Sequence, residues 1–123
     1  MILLDTNALI WLLTGHQRAE ALSSASARLA LSPVSLLELQ FLVEVGRIQL
    51  APSESIATIS ADRRWRMDNP SASALFEAAH LLAWTRDPFD RLLAAHARLR
   101  RWRLATGDRQ LLSHLGPDAT IAL

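Results

Sequence analysis

The sequence predicts an α/β fold, a three-layer sandwich in which helices flank a mostly parallel central sheet. Short apolar runs alternate along the chain with longer segments of helical periodicity, as in proteins with a parallel sheet. The chain has 123 residues and 50% of them are hydrophobic, which predicts a single domain, residues 1–123, with a sizeable core. Acidic residues follow the apolar runs, at the strand ends where such folds place their sites.

Apolar runs and capping residues define the elements of the N-terminal half. Met1–Leu4 predicts a buried strand that ends at Asp5, and Asp5 or Thr6 caps the helix that follows. Pro33 stops the second strand, and Gly46 closes the strongest helix of this half. The expected order is a strand at 1–4, helices at 8–14 and 17–28, a strand at 29–32, a helix at 34–45, a strand at 48–50 and a helix at 53–60.

Turn signals define the C-terminal half. Asn69-Pro70-Ser71 is a turn that starts a helix, and Asp87 with Pro88 has the pattern of an N-cap followed by a first helical residue. The segment 63–67 fits neither a helix nor a strand clearly. The expected order continues with helices at 71–84 and 88–100, a strand at 102–105, a short helix that ends at 114 and a strand at 120–123.

The composition excludes several classes of protein. The chain has no cysteine, which removes disulfides, thiolate zinc sites and cysteine nucleophiles. Its longest stretch without a charged residue is 12 residues, from Thr6 to Gln17, whereas a membrane span takes about 20 apolar residues. No secretory signal is visible at the start. We therefore expect a cytoplasmic protein without a membrane partner.

The positive charge of the chain is carried by arginine and concentrated in its second half. All 13 basic residues are Arg, and residues 63–123 hold ten of them against six acidic residues. Arginine binds phosphate with two parallel hydrogen bonds and stacks on bases, so nucleic acid is a natural partner. A solvated arginine-rich surface is the alternative from composition alone. Two clusters contain a tryptophan: Arg63, Arg64 and Arg66 with Trp65, and Arg98, Arg100, Arg101 and Arg103 with Trp102.

Acidic residues from separate segments of the chain form the candidate metal-binding site. Asp5 follows the first strand, Asp108 follows the strand at 102–105, and Glu38 interrupts an apolar helix face. Asp5 and Asp108 are each explained by helix capping alone, and Glu38 by reaching solvent. If they converge, two carboxylates about 4 Å apart repel by about 4 kcal/mol at an effective dielectric constant near 20. A divalent cation removes that repulsion, and all-oxygen ligands favour Mg²⁺ or Mn²⁺ over Zn²⁺.

A fourth acid stands at the start of the helix at 88–100. Asp87 is explained well as the N-cap of this helix. Asp90 falls in its first turn, where the helix dipole favours a carboxylate, but it can equally face a cleft.

Four motifs, taken in this order and spacing, resemble those of the PIN-domain ribonucleases, and specifically of the VapC-type toxins of bacterial toxin–antitoxin pairs. The resemblance extends over essentially the whole chain. The motifs are Leu3-Leu4-Asp5-Thr6-Asn7, Ser35-Leu36-Leu37-Glu38, the run from Arg86 to Ala95, and Leu104-Ala105-Thr106-Gly107-Asp108. The chain departs from the pattern at Thr85, where relatives often have His.

The resemblance implies a metal-dependent endoribonuclease. By this likeness Mg²⁺, or Mn²⁺, activates a water that hydrolyses an RNA phosphodiester bond. The metal-binding and catalytic residues would be Asp5, Glu38, Asp90 and Asp108. The polar residues that orient them would be Thr6, Asn7, Asp87 and Thr106. The candidate RNA-binding residues are Arg86, Arg91, Arg98, Arg100, Arg101 and Arg103. A VapB-like antitoxin and a second copy of the chain are the expected protein partners.

Two other functions remain open from the sequence. Another Mg²⁺-dependent phosphohydrolase also places Asp at strand ends, but the related phosphatases have a second Asp where this chain has Asn7. A receiver domain needs a downstream lysine, and the chain has none. The second alternative is a catalytically silent module on the same fold that binds nucleic acid or protein. Metal-dependent cleavage distinguishes the alternatives.

Overall fold

The computed structural model describes residues 1–24 and 26–123, and it has the α/β fold that the sequence predicts. Five short strands alternate with helices along the chain. In chain order the elements are β1 (Ile2–Leu4), α1 (Thr6–Thr14), a 3₁₀ helix (Gln17–Leu22), β2 (Leu29–Leu31), α2 (Pro33–Glu44), α3 (Ile56–Ser60), β3 (Trp65–Met67), α4 (Ala72–His80), α5 (Pro88–Arg100), β4 (Arg103–Thr106), α6 (Arg109–Leu115) and β5 (Thr120–Ala122).

The central sheet has the strand order β3-β2-β1-β4-β5, and its four pairings are all parallel. The chain builds outward from β1 through β2 to β3 and then returns to place β4 on the other side of β1. The strand order therefore reverses between β1 and β4, where Leu4 is level with Ala105. In open parallel sheets this reversal opens a crevice at the carboxyl ends of the strands.

The side chains of the strands alternate between two apolar clusters, one on each face of the sheet. Leu3, Ala30 and Leu104 pack with residues of α4, α5 and α6 on one face. Leu4, Leu31 and Ala105 pack on the other face with residues of α1, α2 and α3. Two helical layers enclose one sheet, so the three-layer sandwich expected from the sequence is confirmed.

Two elements expected in the N-terminal half differ in the structure. The predicted helix at 17–28 is a 3₁₀ helix that ends at Leu22, and position 25 of the prediction lies outside the described residues. Its Ser-rich sequence competes with the helix, since the Ser23 hydroxyl bonds back to the Ala19 carbonyl. The predicted strand at 48–50 is wrong: Ile48 and Leu50 pack against a core cluster but pair with no strand in the described residues.

The structure also assigns the segment 63–67 and places the end of the helix predicted at 71–84. The unassigned segment 63–67 contains β3, whose Trp65 is buried and donates its indole N–H to the Ile59 carbonyl at 2.8 Å. The helix predicted to reach Trp84 ends at His80. Trp84 instead stacks on His114 of α6 with ring centroids 4.5 Å apart. Within residues 1–24 and 26–123, no helix has the length and apolar character needed to cross a membrane.

Candidate active site

The crevice between β1 and β4 is bordered by two aspartates that each cap a helix. Asp5 follows β1 and accepts a hydrogen bond from the Ala8 amide at 2.7 Å. Asp108 follows β4 and accepts one from the Leu111 amide at 2.9 Å. The capping interpretation of both residues is confirmed, but each carboxylate uses only Oδ1 for its cap. Capping therefore fixes both side chains at the crevice and does not use the Oδ2 atom of either carboxylate.

Helix α2 brings Glu38 to the same crevice. Ser32 caps this helix, Pro33 begins it, and the buried Ser35 donates to the Leu4 carbonyl at 3.4 Å, which ties the helix to the end of β1. The half-buried Glu38 side chain accepts a short hydrogen bond on Oε1 from the Thr6 hydroxyl. Thr6 thus holds the Glu38 side chain near the end of β1.

Helix α5 supplies the third wall. Asp87 caps it by accepting hydrogen bonds from the Phe89 and Asp90 amides at 2.8 and 3.2 Å. The helix entry is held by Thr85, whose hydroxyl accepts from the Asp87 amide at 3.2 Å and whose carbonyl accepts from Arg91 Nε at 2.6 Å. Thr85 is buried, so the residue that departs from the family pattern serves as a structural support here.

These elements enclose an acidic cleft of about 140 Å³. The structure brings together the four predicted ligands and the supporting residues Thr6, Asn7 and Asp87 in its lining. No basic side chain of the described residues lines it. The cleft is lined by Asp5, Thr6, Asn7, Glu38, Leu42, Asp87, Asp90 and Asp108.

Asp90 lies where the negative charges converge. Burial, followed by the charges of Asp87, Asp108, Glu38 and Asp5 in that order, raises the pKa of its carboxyl group from 3.8 to about 7. No described residue donates a hydrogen bond to its side chain. Because four carboxylates act on a fifth that lacks a donor, the cleft either retains a proton or needs a bound cation to be fully ionised.

Burial also raises the pKa of the Asp5 and Glu38 carboxyl groups. It raises the pKa of Asp5 to about 6, against the opposing effects of the Thr106 hydroxyl and the Ala8 amide. It raises the pKa of Glu38, against the hydrogen bond from Thr6. Thr106 is fully buried between the two aspartates and also accepts from the Asp108 amide at 3.0 Å. Thr106 therefore contacts the Asp5 side chain and the Asp108 backbone, and its role in supporting the carboxylates stays a prediction.

The cleft offers the type of ligand atom that a hard divalent cation prefers. Its ligands are oxygens only, and their mutual repulsion is what a bound cation would relieve. Among residues 1–24 and 26–123, no group of three or more His, Asp or Glu side chains meets the geometry of a metal site. The carboxylates therefore share one cleft but would have to draw closer together to coordinate one ion.

The six candidate RNA-binding arginines do not form one surface at the cleft. Arg86 is exposed next to Asp87, and Arg91 is engaged by the Thr85 carbonyl. Arg98, Arg100 and Arg101 lie at the far end of α5, where Arg100 is about 15 Å along the helix from Asp90, and Arg103 begins β4. Arg100 pairs with Asp68 at 2.7 Å, and Arg103 donates to the Thr120 carbonyl at 2.6 Å.

The sequence analysis missed a support behind Asp108. A Cβ atom at Gly107 would lie 2.7 Å from the Trp11 ring and 2.6 Å from Arg18 Nη2. The Arg18 guanidinium stacks on Trp11 at 4.2 Å and donates to the Leu123 carbonyl at 2.8 Å. The Thr-Gly-Asp turn therefore packs against a fixed surface that only glycine fits. Nothing in the sequence pattern connects Trp11 or Arg18 with residue 107.

Comparisons with known proteins identify the family of the chain. Residues 2–116 match the PIN-domain family. Ribonuclease VapC22 of Mycobacterium tuberculosis is 34% identical over 121 residues, which cover 94% of this chain and 93% of that protein. The chain therefore belongs to the PIN-domain family, and the resemblance to VapC-type proteins is confirmed.

Solved structures share the fold. A toxin–antitoxin complex from Klebsiella pneumoniae matches with a TM-score of 0.71 at 23% identity, over 99% of this chain and 97% of that chain. VapBC2 from Rickettsia felis, bound to a DNA fragment from its promoter, matches with a TM-score of 0.65 at 20% identity. The second match covers 99% of this chain and 98% of that chain.

Proposed function

We propose that the protein is an Mg²⁺-dependent endoribonuclease and the toxin of a toxin–antitoxin pair. The observation that carries the proposal is the convergence of Asp5, Glu38, Asp90 and Asp108 in one cleft at the strand-order reversal. The similarity to Ribonuclease VapC22 over nearly the full chain supports RNA as the substrate. Mn²⁺ is the alternative cation, since it accepts the same oxygen ligands.

In this mechanism the four carboxylates would hold the cation, and the cation would bind the scissile phosphate. Asp5 and Asp108, held by their caps, would each offer one carboxylate oxygen to the ion, and Glu38 and Asp90 would complete its ligands from α2 and α5. Thr6 and Thr106 keep Glu38 and Asp5 oriented during the reaction. When bound, the ion would supply a lowered pKa for its water and positive charge for the phosphate oxygens. The carboxylates need not form any covalent intermediate.

Asp90→Asn tests this proposal directly. Asn keeps the size of the side chain but removes a ligand charge, so we expect cleavage of single-stranded RNA to fall by about 100-fold or more. Gel electrophoresis of labelled RNA with Mg²⁺ and with EDTA gives the rate. Asp118→Asn is the matched control, because Asp118 is exposed and does not line the cleft; its rate should equal that of the unmodified protein.

The possible outcomes distinguish a metal-dependent nuclease from a contaminating activity and from a catalytically silent module. Equal cleavage by Asp90→Asn, or cleavage that persists in EDTA, would contradict the metal-dependent mechanism. If no RNA is cut, calorimetric titration with Mn²⁺ distinguishes two cases. Binding that Asp90→Asn abolishes would indicate a selective nuclease offered the wrong RNA. No binding at all would favour the catalytically silent module.

Exposed apolar side chains on two helices suit two protein partners. On α2, Leu37, Phe41 and Val45 are 63%, 51% and 51% exposed and recur at four-residue spacing on the helix that carries Glu38. This stripe suits the antitoxin, whose segment covers the active-site groove in the family that the chain resembles. On α4, Phe76 and Leu81 are 55% and 81% exposed and suit a second copy of the chain.

A further inference from the structure

A groove on the amino-terminal edge of the sheet is lined by arginines and lies opposite the acidic cleft. Arg28 directly precedes β2, Arg63 precedes β3, and Arg66 lies within β3. The three side chains are exposed and line a groove of about 310 Å³. The cleft follows the carboxyl ends of β1 and β4, so the length of a three-residue strand, about 10 Å, separates the two edges.

The positive charge of this groove is not neutralised by the protein. Within the described residues, Arg28, Arg63 and Arg66 have no ion pair. The nearby Asp62 is taken by Arg64, which binds both of its carboxylate oxygens at 2.8 to 3.2 Å. The register aligns Leu29 with Trp65, so Arg28 and Arg63 stand at the starts of adjacent strands about 4.8 Å apart, and their like charges repel each other. An anion in the groove would remove this repulsion.

The shape and surroundings of the groove favour a long anion over a single small one. Met1, Leu29 and Trp65 give it an apolar floor over which guanidinium groups can spread. Further arginines lie at a second groove, of about 270 Å³, whose charged lining residues are Arg98, Arg101 and Arg103 together with Asp118. The edge from β3 to β4 spans three strand spacings, about 14 Å, which is enough for several successive phosphates.

We infer that the groove of Arg28, Arg63 and Arg66 binds the phosphodiester backbone of a nucleic acid, on the edge of the molecule opposite the acidic cleft. Guanidinium groups pair with phosphate oxygens, and the absence of polar base-reading side chains on the apolar floor predicts binding without sequence preference. The binding requires no metal and no cleavage. The ligand chemistry is shared by single-stranded RNA and duplex DNA, which the experiment separates.

The test is fluorescence anisotropy of the full chain in EDTA, where hydrolysis by a metal-dependent site is blocked. The probes are a labelled single-stranded RNA and a labelled DNA duplex of equal length, and polyglutamate is the competing polyanion. The variant is Arg28→Gln with Arg63→Gln. The matched control is Arg47→Gln with Arg109→Gln, which removes the same charge from two exposed arginines outside the groove.

We expect the groove variant to weaken binding by roughly 5-fold for each lost phosphate contact at about 0.1 M salt. For each contact, the slope of log K against log salt should fall by about 0.7 with the single-stranded RNA and by about 0.9 with the DNA duplex. The control should change neither quantity. A loss with one nucleic acid only identifies it as the ligand and supports the inference. Equal losses in variant and control, no loss in the variant, or equal displacement by polyglutamate would each overturn it.

Failure of this inference and failure of the proposed ribonuclease activity are distinguishable. The anisotropy experiment reports on binding in EDTA and does not depend on the cleft carboxylates. The groove variant also retains every residue that lines the cleft. Thermal unfolding of both double variants shows whether a loss of binding comes from a loss of fold, which would appear as a lowered midpoint in the groove variant alone.

Discussion

Asp90 is the residue whose ionisation is least favourable in the folded protein. It combines partial burial with the charges of four other carboxylates and lacks a hydrogen-bond donor from the described residues. Asp5 is more deeply buried, but the Thr106 hydroxyl and two backbone amides offset part of its cost. The pKa of Asp5 is lowered by hydrogen-bond donors that Asp90 lacks, so the pKa of Asp90 reports more directly on the electrostatics of the cleft.

The raised pKa of Asp90 predicts how the stability of the metal-free protein depends on pH. A carboxyl group with a pKa of 3.8 when unfolded and about 7 when folded stabilises the fold below pH 3.8, and this contribution is lost as pH rises through about 7. Asp90→Asn removes the titration. We expect equal stability near pH 4, and a variant more stable by about 1–2 kcal/mol near pH 8, after discounting for solvent screening.

Chemical denaturation in EDTA at several pH values measures this difference. Asp118→Asn serves as the control, since its exposed carboxylate does not face the cleft. If the Asp90→Asn advantage were the same at pH values of about 4 and 8, the carboxylates would not interact as the structure indicates.

Asp5 has two roles that one substitution separates. Asn is as good an N-cap as Asp, so Asp5→Asn keeps the acceptor for the Ala8 amide and should not lower the thermal midpoint. It removes a ligand charge, so RNA cleavage and calorimetric Mn²⁺ binding should be lost. Asp5→Ala loses both roles and should be less stable than Asp5→Asn by about 1 kcal/mol. Unchanged Mn²⁺ affinity in Asp5→Asn would exclude Asp5 as a ligand.

The position of these carboxylates is predictable from the sequence, but their electrostatic state is not. Asp5 and Asp108 follow apolar strands, and the carboxyl ends of parallel strands share one edge. Glu38 and Asp90 lie on helices whose rotation about their axes depends on tertiary packing. The hydrogen bond from Thr6 and the absence of a donor at Asp90 are contacts between distant segments, which no local pattern encodes.

At the scale of the elements, the turn between β4 and α6 shows how packing fixes the side chain of Asp108, a candidate metal ligand. Gly107 separates Thr106, which supports Asp5, from Asp108, which caps α6. The Trp11 ring and the Arg18 guanidinium lie against its Cα. Element boundaries were less predictable in this region than motif positions, because capping and packing from other segments decide where short elements end.

Gly107→Ala should therefore disturb both stability and metal binding. The new methyl group meets a ring and a guanidinium that are held in place, so we expect a loss of about 1–3 kcal/mol in unfolding free energy and weaker Mn²⁺ binding through a displaced Asp108. Trp11→Leu in the same chain makes room and should recover part of both losses. Additive losses in the double-mutant cycle would show that Trp11 does not press on residue 107.

At the scale of the whole molecule, charge is segregated between the two edges of the sheet. Acidic residues gather at the carboxyl ends of β1 and β4, and unpaired arginines lie before β2 and β3. The formal net charge of +1 conceals this separation. The sequence showed the arginine excess but not its location, because the register of the strands places Arg28 next to the segment of Arg63. An extended polyanion that contacts both edges would meet repulsion at the cleft unless a cation is bound there.

The exposed apolar side chains of α2 and α4 predict how copies of the chain and an antitoxin assemble. If α4 joins two copies, Phe76→Glu with Leu81→Glu places four charges in the shared interface, and the dimer should dissociate at least 100-fold more readily. Analytical ultracentrifugation measures the oligomer directly. Leu37→Glu with Phe41→Glu is the matched variant on α2: it should leave the dimer intact and weaken only the complex with an antitoxin. If the α2 variant is monomeric and the α4 variant dimeric, the two assignments are reversed, because the interface between copies then includes the helix that carries Glu38.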